Sequence, residues 1–276
     1  TISAISDMLK TRGLALNLAK TNIYNEEQGF HHFQIEANRY IDSVEKTKKT
    51  DDNYKEVCSE VHKRFKNHFK DTSAKYWDKI AKRYITTYSK LKSKSLLSVA
   101  PNTYVDYPGL RSHLLMYLSN IGYLKKSSDV VLKILNTIDI FDDLSLYQLC
   151  HLVTNWRIPL NDKSKEFLKS FEDKITSFSF RRKLPSDFYC VLWFKAKYSH
   201  PEDLYRFIDK YQNLWQTDTF LRRQVTAILS RLLITNSVKV EKLLFNQISS
   251  GITNTVTLAN QILTFSELDK TNSRLN

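Results

Sequence analysis

The side chains that could do chemistry in this chain are mostly cations, and they cluster. Lys75, Lys79, Lys82, Arg83, Lys90, Lys92 and Lys94 fall in one short span. Ammonium and guanidinium groups at helical spacing neutralise backbone phosphates and release counterions, which makes binding salt-dependent. Tyr76, Tyr84 and Tyr88 lie among them and offer flat faces on which bases could stack. Arg222-Arg223 and Arg181-Arg182-Lys183 are two further basic groups that would extend the same track. The acids promise less. Two-metal nucleotidyl transfer needs carboxylates converging on ions about 3.5–4 Å apart. Asp51-Asp52, Asp142-Asp143 and Glu202-Asp203 are adjacent acids, but each stands at a turn or helix start without a flanking β pattern. They read as loop or capping residues. His31-His32 would point to different sides, and no Cys or Cys/His pair has finger spacing, so no metal site is expected. Cys190 lies in the apolar run Tyr189-Cys190-Val191-Leu192-Trp193 and reads as buried and inert.

The charge that carries these groups is unevenly placed. The chain of 276 residues has a net charge of +13, from 42 basic and 29 acidic residues. Residues 1–45 hold 4 basic and 6 acidic groups (−2), residues 46–100 hold 15 and 6 (+9), and residues 101–276 hold 23 and 17 (+6). A polyanion partner, DNA or RNA, is therefore sought in the second segment. Only 5 Gly and 5 Pro argue against a sandwich, a barrel or long disordered linkers. The 3 cysteines, Cys58, Cys150 and Cys190, are widely spaced and fit reduced thiols in a cytoplasmic compartment. No secretory signal and no membrane span are visible. There is no initiator Met, and Thr1 opens inside an expected helix, so the chain reads as a fragment.

Periodicity supplies the elements that would position the cations. Phe30, Phe33, Ala37, Tyr40, Ile41 and Val44 recur at three- and four-residue steps, favouring one helix after a polar turn at 25–29. Lys46 to Asn53 is a charged loop. Val57, Val61, Phe65 and Phe69 form the apolar stripe of a helix whose other faces hold Lys55, Lys63, Arg64, Lys66 and Lys70. Trp77, Ile80, Ala81, Tyr84, Tyr88 and Leu91 form the stripe of the next. Ala100-Pro101-Asn102 and Tyr107-Pro108-Gly109 bracket a connector. Beyond it, helices are expected over 109–121, 128–138, 143–154, 162–177, 186–198, 201–214, 218–235, 238–248 and 254–268. Ser128, Asp142, Ser186 and Asp218 are their candidate caps. Taken in pairs they repeat every 35 to 40 residues or so, near the period of HEAT-like arrays, with no clean consensus; an irregular helical bundle is the other reading. Trp77, Trp156, Trp193 and Trp215 lie on apolar faces and are expected in the core. The fold class is mainly α, with domains at 1–45, 46–100 and 101–276.

One stretch breaks the helical texture. A helix from Ile2 to Thr11 runs into Gly13-Leu14-Ala15-Leu16-Asn17-Leu18-Ala19-Lys20-Thr21-Asn22-Ile23. Two alternating pieces, Leu14-Ala15-Leu16 and Thr21-Asn22-Ile23, would form a short β-hairpin hinged at Asn17. Leu14, Leu16 and Ile23 would then point at a layer beneath. The wording Gly-Leu-x-Leu-Asn-x-x-Lys-Thr-x-Ile after an amphipathic helix resembles the fourth palm motif of reverse transcriptases. Behind it, Lys82-Arg83-Tyr84-Ile85-Thr86-Thr87-Tyr88, Asp106-Tyr107-Pro108 and Phe220-Leu221-Arg222-Arg223-Gln224 occur in an order that resembles the abortive-infection and related defence-associated reverse transcriptases of bacteria.

That resemblance implies the end of a palm at 1–45, a basic helical thumb at 46–100 and an α-helical repeat domain at 101–276. It implies a role near the incoming nucleotide's phosphates for Lys20, which could also donate a proton to leaving pyrophosphate; without the motif, Lys20 reads as a surface lysine. The family's catalytic aspartates lie on palm strands before this motif, and no Tyr-x-Asp-Asp string occurs here. Mg2+ would serve the intact polymerase, and this chain alone is expected neither to bind it nor to polymerise. The implied partners are DNA or RNA, the rest of the palm and fingers, and further copies of the chain. Relatives prime synthesis from a tyrosine, and nothing among the 15 tyrosines selects one. The competing reading is a non-enzymatic HEAT-like scaffold that binds a protein partner.

Overall fold

The computed structural model describes residues 2–15, 17, 22–73, 76–137, 139, 143–182, 184–233 and 237–275. It is mainly helical, and none of these residues lies in a strand. The chain divides into two compact units, Thr1–Ser95 and Leu96–Asn276.

The first unit holds α1 (Ile2–Lys10), α2 (Glu26–His32), α3 (Ile35–Val44), α4 (Tyr54–His68) and α5 (Trp77–Leu91). Gly13 ends the first helix in the left-handed region at φ 70°. The amides of Gly13 and Leu14 bond back to the carbonyls of Lys10 and Leu9, a closure that needs a residue tolerant of positive φ. The expected hairpin falls partly outside the described residues, at Leu16 and Leu18–Thr21. Leu14 and Ile23 do not point at a layer beneath; they are 56% and 77% exposed. The single helix expected from Phe30 is two helices, because Gln34 between them adopts φ 51°.

α4 and α5 pair through their apolar stripes. Val61, Phe65, Ile80, Ala81, Tyr84, Ile85 and Tyr88 are buried. The turn between the helices is held by a reciprocal exchange. The Trp77 indole Nε1–H donates to the His68 carbonyl at 2.8 Å, and His68 Nε2 bonds the Trp77 carbonyl at 2.9 Å. Their rings stack at 5.6 Å.

The second unit begins in a 3-10 turn and runs through α6 (Ala100–Asp106), α7 (Arg111–Ile121), α8 (Lys125–Leu135), α9 (Asp143–Asn155), α10 (Asp162–Arg182), α11 (Pro185–Tyr198), α12 (Pro201–Lys210), α13 (Gln212–Trp215), α14 (Thr219–Leu229), α15 (Ser237–Ser249) and α16 (Thr253–Leu275). The expected connector at 100–109 is thus largely helix. Pro101 sits in the first turn of α6, where its missing N–H costs nothing. α6, α8 and α10 form one row of neighbours, and α7, α9, α11, α14 and α16 another. The start of α8 is closed by Ser127, which accepts from the Leu124 amide at 2.8 Å, and not by Ser128. At α14 the Asp218 carboxylate does cap, accepting from the Leu221 amide at 2.8 Å.

The rows meet across α10 and α11, where the rings of Phe171 and Phe194 lie 5.0 Å apart and both are fully buried. Truncating a ring in such a site removes its transfer energy and leaves a void. Phe194→Ala should destabilise the second unit by about 3–5 kcal/mol, read as a lowered midpoint in chemical denaturation. A loss under about 1 kcal/mol would show that this site collapses freely.

Candidate nucleic-acid interface

The cations that sequence placed at the interface divide sharply once their neighbours are known. Lys20 and Lys75 lie outside the described residues. On α5, Arg83 donates to the Asn38 amide oxygen and, at 2.5 Å, to Asp42, both on α3. Lys90 pairs with Glu45 at 2.6 Å, and Lys82 pairs with Asp78 one turn back at 3.1 Å. These three groups lock α5 to α3 or to itself. Lys79, Lys92 and Lys94 remain exposed, with no carboxylate at ion-pair distance among the described residues.

α4 carries a lysine stripe of its own. Lys55, Lys63 and Lys66 are all exposed and fall within about 80° of arc at 3.6 residues per turn. Lys70 follows, exposed, in the turn after the helix. Among the described residues, none of the four has a carboxylate within ion-pair distance. Arg64 on the flank of the same helix is instead held by Glu60 at 2.8 Å and Glu36 at 3.5 Å, with its guanidinium 4.1 Å over the Tyr40 ring. A periodic lysine row on the face opposite the stripe was visible in the sequence. What could not be seen there was that α3 supplies acids to α5 and to Arg64 on α4's flank, and among the described residues none at ion-pair distance to the four lysines.

The aromatics also sort themselves. Tyr84 and Tyr88, candidates for base stacking, are 3% and 0% exposed and belong to the core. Burial pushes the Tyr84 hydroxyl up to about 12. Tyr76 lies at the surface end of α5 with Lys79 Nζ 4.6 Å over its ring. The Phe33 ring runs parallel to it at 6.5 Å and is 53% exposed. His32 meets Tyr76 edge-on at 5.4 Å and stacks on Tyr24 at 4.2 Å. A small aromatic ledge with an ammonium above it therefore sits at the α4–α5 turn.

In the second unit the expected basic groups are largely engaged. Arg181 pairs with Asp139 at 2.7 Å, Arg182 with the buried Asp187 at 3.0 Å, and Arg222 donates to the Gln216 carbonyl. Arg223 is exposed, and Lys183 lies outside the described residues. Of the adjacent acids, Asp51 accepts from the Lys48 amide at 2.8 Å, and Asp203 pairs with Arg206 at 3.0 Å. Both are turn and helix-start groups. Among the described residues no three His, Cys, Asp or Glu side chains converge, and no helix is long and apolar enough to cross a membrane.

Two histidines couple this unit to pH. Burial first, and Lys66 second, hold His62 below its ordinary 6.5. His62 Nδ1 meets the buried Tyr88 hydroxyl at 2.8 Å. Burial likewise lowers His68, against the pull of its Trp77 carbonyl bond. The unfolded chain therefore takes up protons near pH 6.5 that the folded chain resists, and stability rises with pH where the unfolded state binds more protons. Their contribution is complete above pH 6.5 and is lost as pH falls below it. The melting midpoint of the first unit should drop between pH 7.5 and 5.5, and His62→Gln should flatten that drop; equal profiles would contradict it. No protein-family model, no curated protein and no solved structure matches this chain.

Proposed function

We propose that the chain is the C-terminal portion of a reverse transcriptase-like DNA polymerase of bacterial antiphage defence. In this reading the first unit grips nucleic acid and the second, a HEAT-like helical array, scaffolds assembly. The observation that carries the grip is the exposed lysine row of α4, which has no carboxylate at ion-pair distance among the described residues, with Lys79 and the Phe33–Tyr76 ledge at its end. A row of unneutralised ammonium groups attracts phosphates, and exposed rings hold unpaired bases. The polymerase assignment rests on the resemblance of residues 13–23 to the palm motif, with Lys20 near the nucleotide phosphates. In this reading Mg2+ would be held by carboxylates of the palm; among the described residues Asp51 accepts from the Lys48 amide and Asp203 pairs with Arg206.

A second reading, a non-enzymatic scaffold for a protein partner, draws on Phe245 of α15 and on Phe265 and Leu268 of α16, which are 59%, 70% and 56% exposed. The two readings differ in their response to salt. Binding of labelled single-stranded DNA and RNA should weaken steeply with salt in the wild type. Lys63→Glu/Lys66→Glu should weaken it about tenfold or more and remove roughly 1.4 from the slope of log affinity against log salt, about 0.7 per lost contact. Arg83→Ala/Lys90→Ala should instead lower the melting midpoint by a few degrees, on the order of 1 kcal/mol, and leave most of the binding intact. Equal, salt-insensitive binding in all three proteins would remove the grip.

A further inference from the structure

Trp193, expected in the core, is only half-buried, and it belongs to a row of rings that crosses three helices. Tyr147 of α9 lies 6.1 Å from Trp193 of α11, with His151 5.6 Å from the same indole. Trp193 lies 6.0 Å from Tyr189, and Tyr189 lies 5.2 Å from Phe220 of α14. The two end rings are the open ones, Tyr147 at 36% and Phe220 at 54% exposure. At one end His151 also lines a cleft of about 280 Å3 between α7 and α9, whose walls include the amides of Asn120, Gln148 and Asn155. At the other end Arg223 stands exposed one turn beyond Phe220. None of the ladder's rings and none of the cleft's lining residues carries a carboxylate.

Rings at 5–6 Å from one another leave no room for a base between them, so the free faces are those of Tyr147 and Phe220. The middle rings stiffen the row. Flat open faces, amide groups beside them, a nearby guanidinium and a cleft lining without a carboxylate suit unpaired bases on a phosphate chain better than an acidic or aliphatic peptide. We propose that this ladder is a second contact for single-stranded nucleic acid, taking bases by stacking on Tyr147 and Phe220 and a phosphate at Arg223. The inference rests on the nucleic-acid reading given above but uses a different unit and a different chemistry, stacking in place of charge.

The two are separable with two probes on the full chain, an oligothymidylate and a base-free polyphosphate. Tyr147→Ala/Phe220→Ala should weaken oligothymidylate binding about tenfold to a hundredfold and leave polyphosphate binding unchanged. Tyr147→Phe/Phe220→Tyr, which keeps both faces, should restore it. Both sites are exposed, and an unchanged melting midpoint checks that each variant is folded; Phe220→Ala alone, the more exposed change, serves if the pair is not. Wild-type oligothymidylate affinity in the alanine variants, or equal losses on both probes, overturns the ladder. Failure of the wild type to bind polyphosphate, with ladder-dependent oligothymidylate binding intact, would instead overturn the lysine grip alone.

Discussion

The arrangement of charge in the first unit depends on what α3 does with its polar face. Asn38, Asp42 and Glu45 stand on or at the end of that helix and meet Arg83 and Lys90 of α5. Exposed ion pairs of this kind contribute little stability each, up to about 1 kcal/mol. Their larger effect is on availability. A guanidinium shared between an amide and a carboxylate cannot also receive a phosphate without giving up those partners. Only part of the +9 segment is therefore free to act on a polyanion, and α4 carries much of that part.

The geometry of α4 against α5 follows from the clasp at their turn. His68 and Trp77 each give a ring nitrogen to the other's carbonyl, so the His68 carbonyl at the end of α4 is satisfied where no helix bond reaches it. The stacked rings close the end of a core built from Phe65, Tyr84 and Tyr88. With that core buried, the opposite side of α4 presents lysines, small polar groups and Glu56. Position in the helix, and not lysine content alone, makes the row.

Much of the helical architecture was legible because the apolar positions repeat cleanly. The stripe Val57, Val61, Phe65 and Phe69 and the Asp218 cap lie where periodicity and capping rules put them. Misses trace to local chemistry that periodicity does not see. Gln34 takes a left-handed conformation and splits a continuous pattern, although nothing marks it as a turn residue. Ser127 and Ser128 are interchangeable as sequence, and only the start of α8 selects the first. At the candidate interface the limit was pairing. Arg83 and Lys90 look like Lys63 and Lys66 in a sequence, and only the arrival of α3 distinguishes them; Lys82 is held by Asp78 four residues before it, a pairing the spacing itself offers. Tyr84 and Tyr88 stand on the apolar stripe and also among lysines, which left stacking open to them, and burial on that stripe removes it. Trp193 erred the other way, since an apolar run does not reveal that its helix is open along one edge.

The two proposed contacts rely on different physics, ammonium groups on one unit and flat rings on the other, and the lysine row is the more exposed claim. Its most direct test is residue-by-residue: acetylation of surface lysines with and without saturating single-stranded DNA, read by mass spectrometry. Lys55, Lys63, Lys66 and Lys70 should be protected by the bound strand, while Lys82 and Lys90, held by Asp78 and Glu45, should react at the same rate in both conditions. Protection of Lys82 and Lys90 with the α4 row unchanged, or no protection anywhere, would contradict the account.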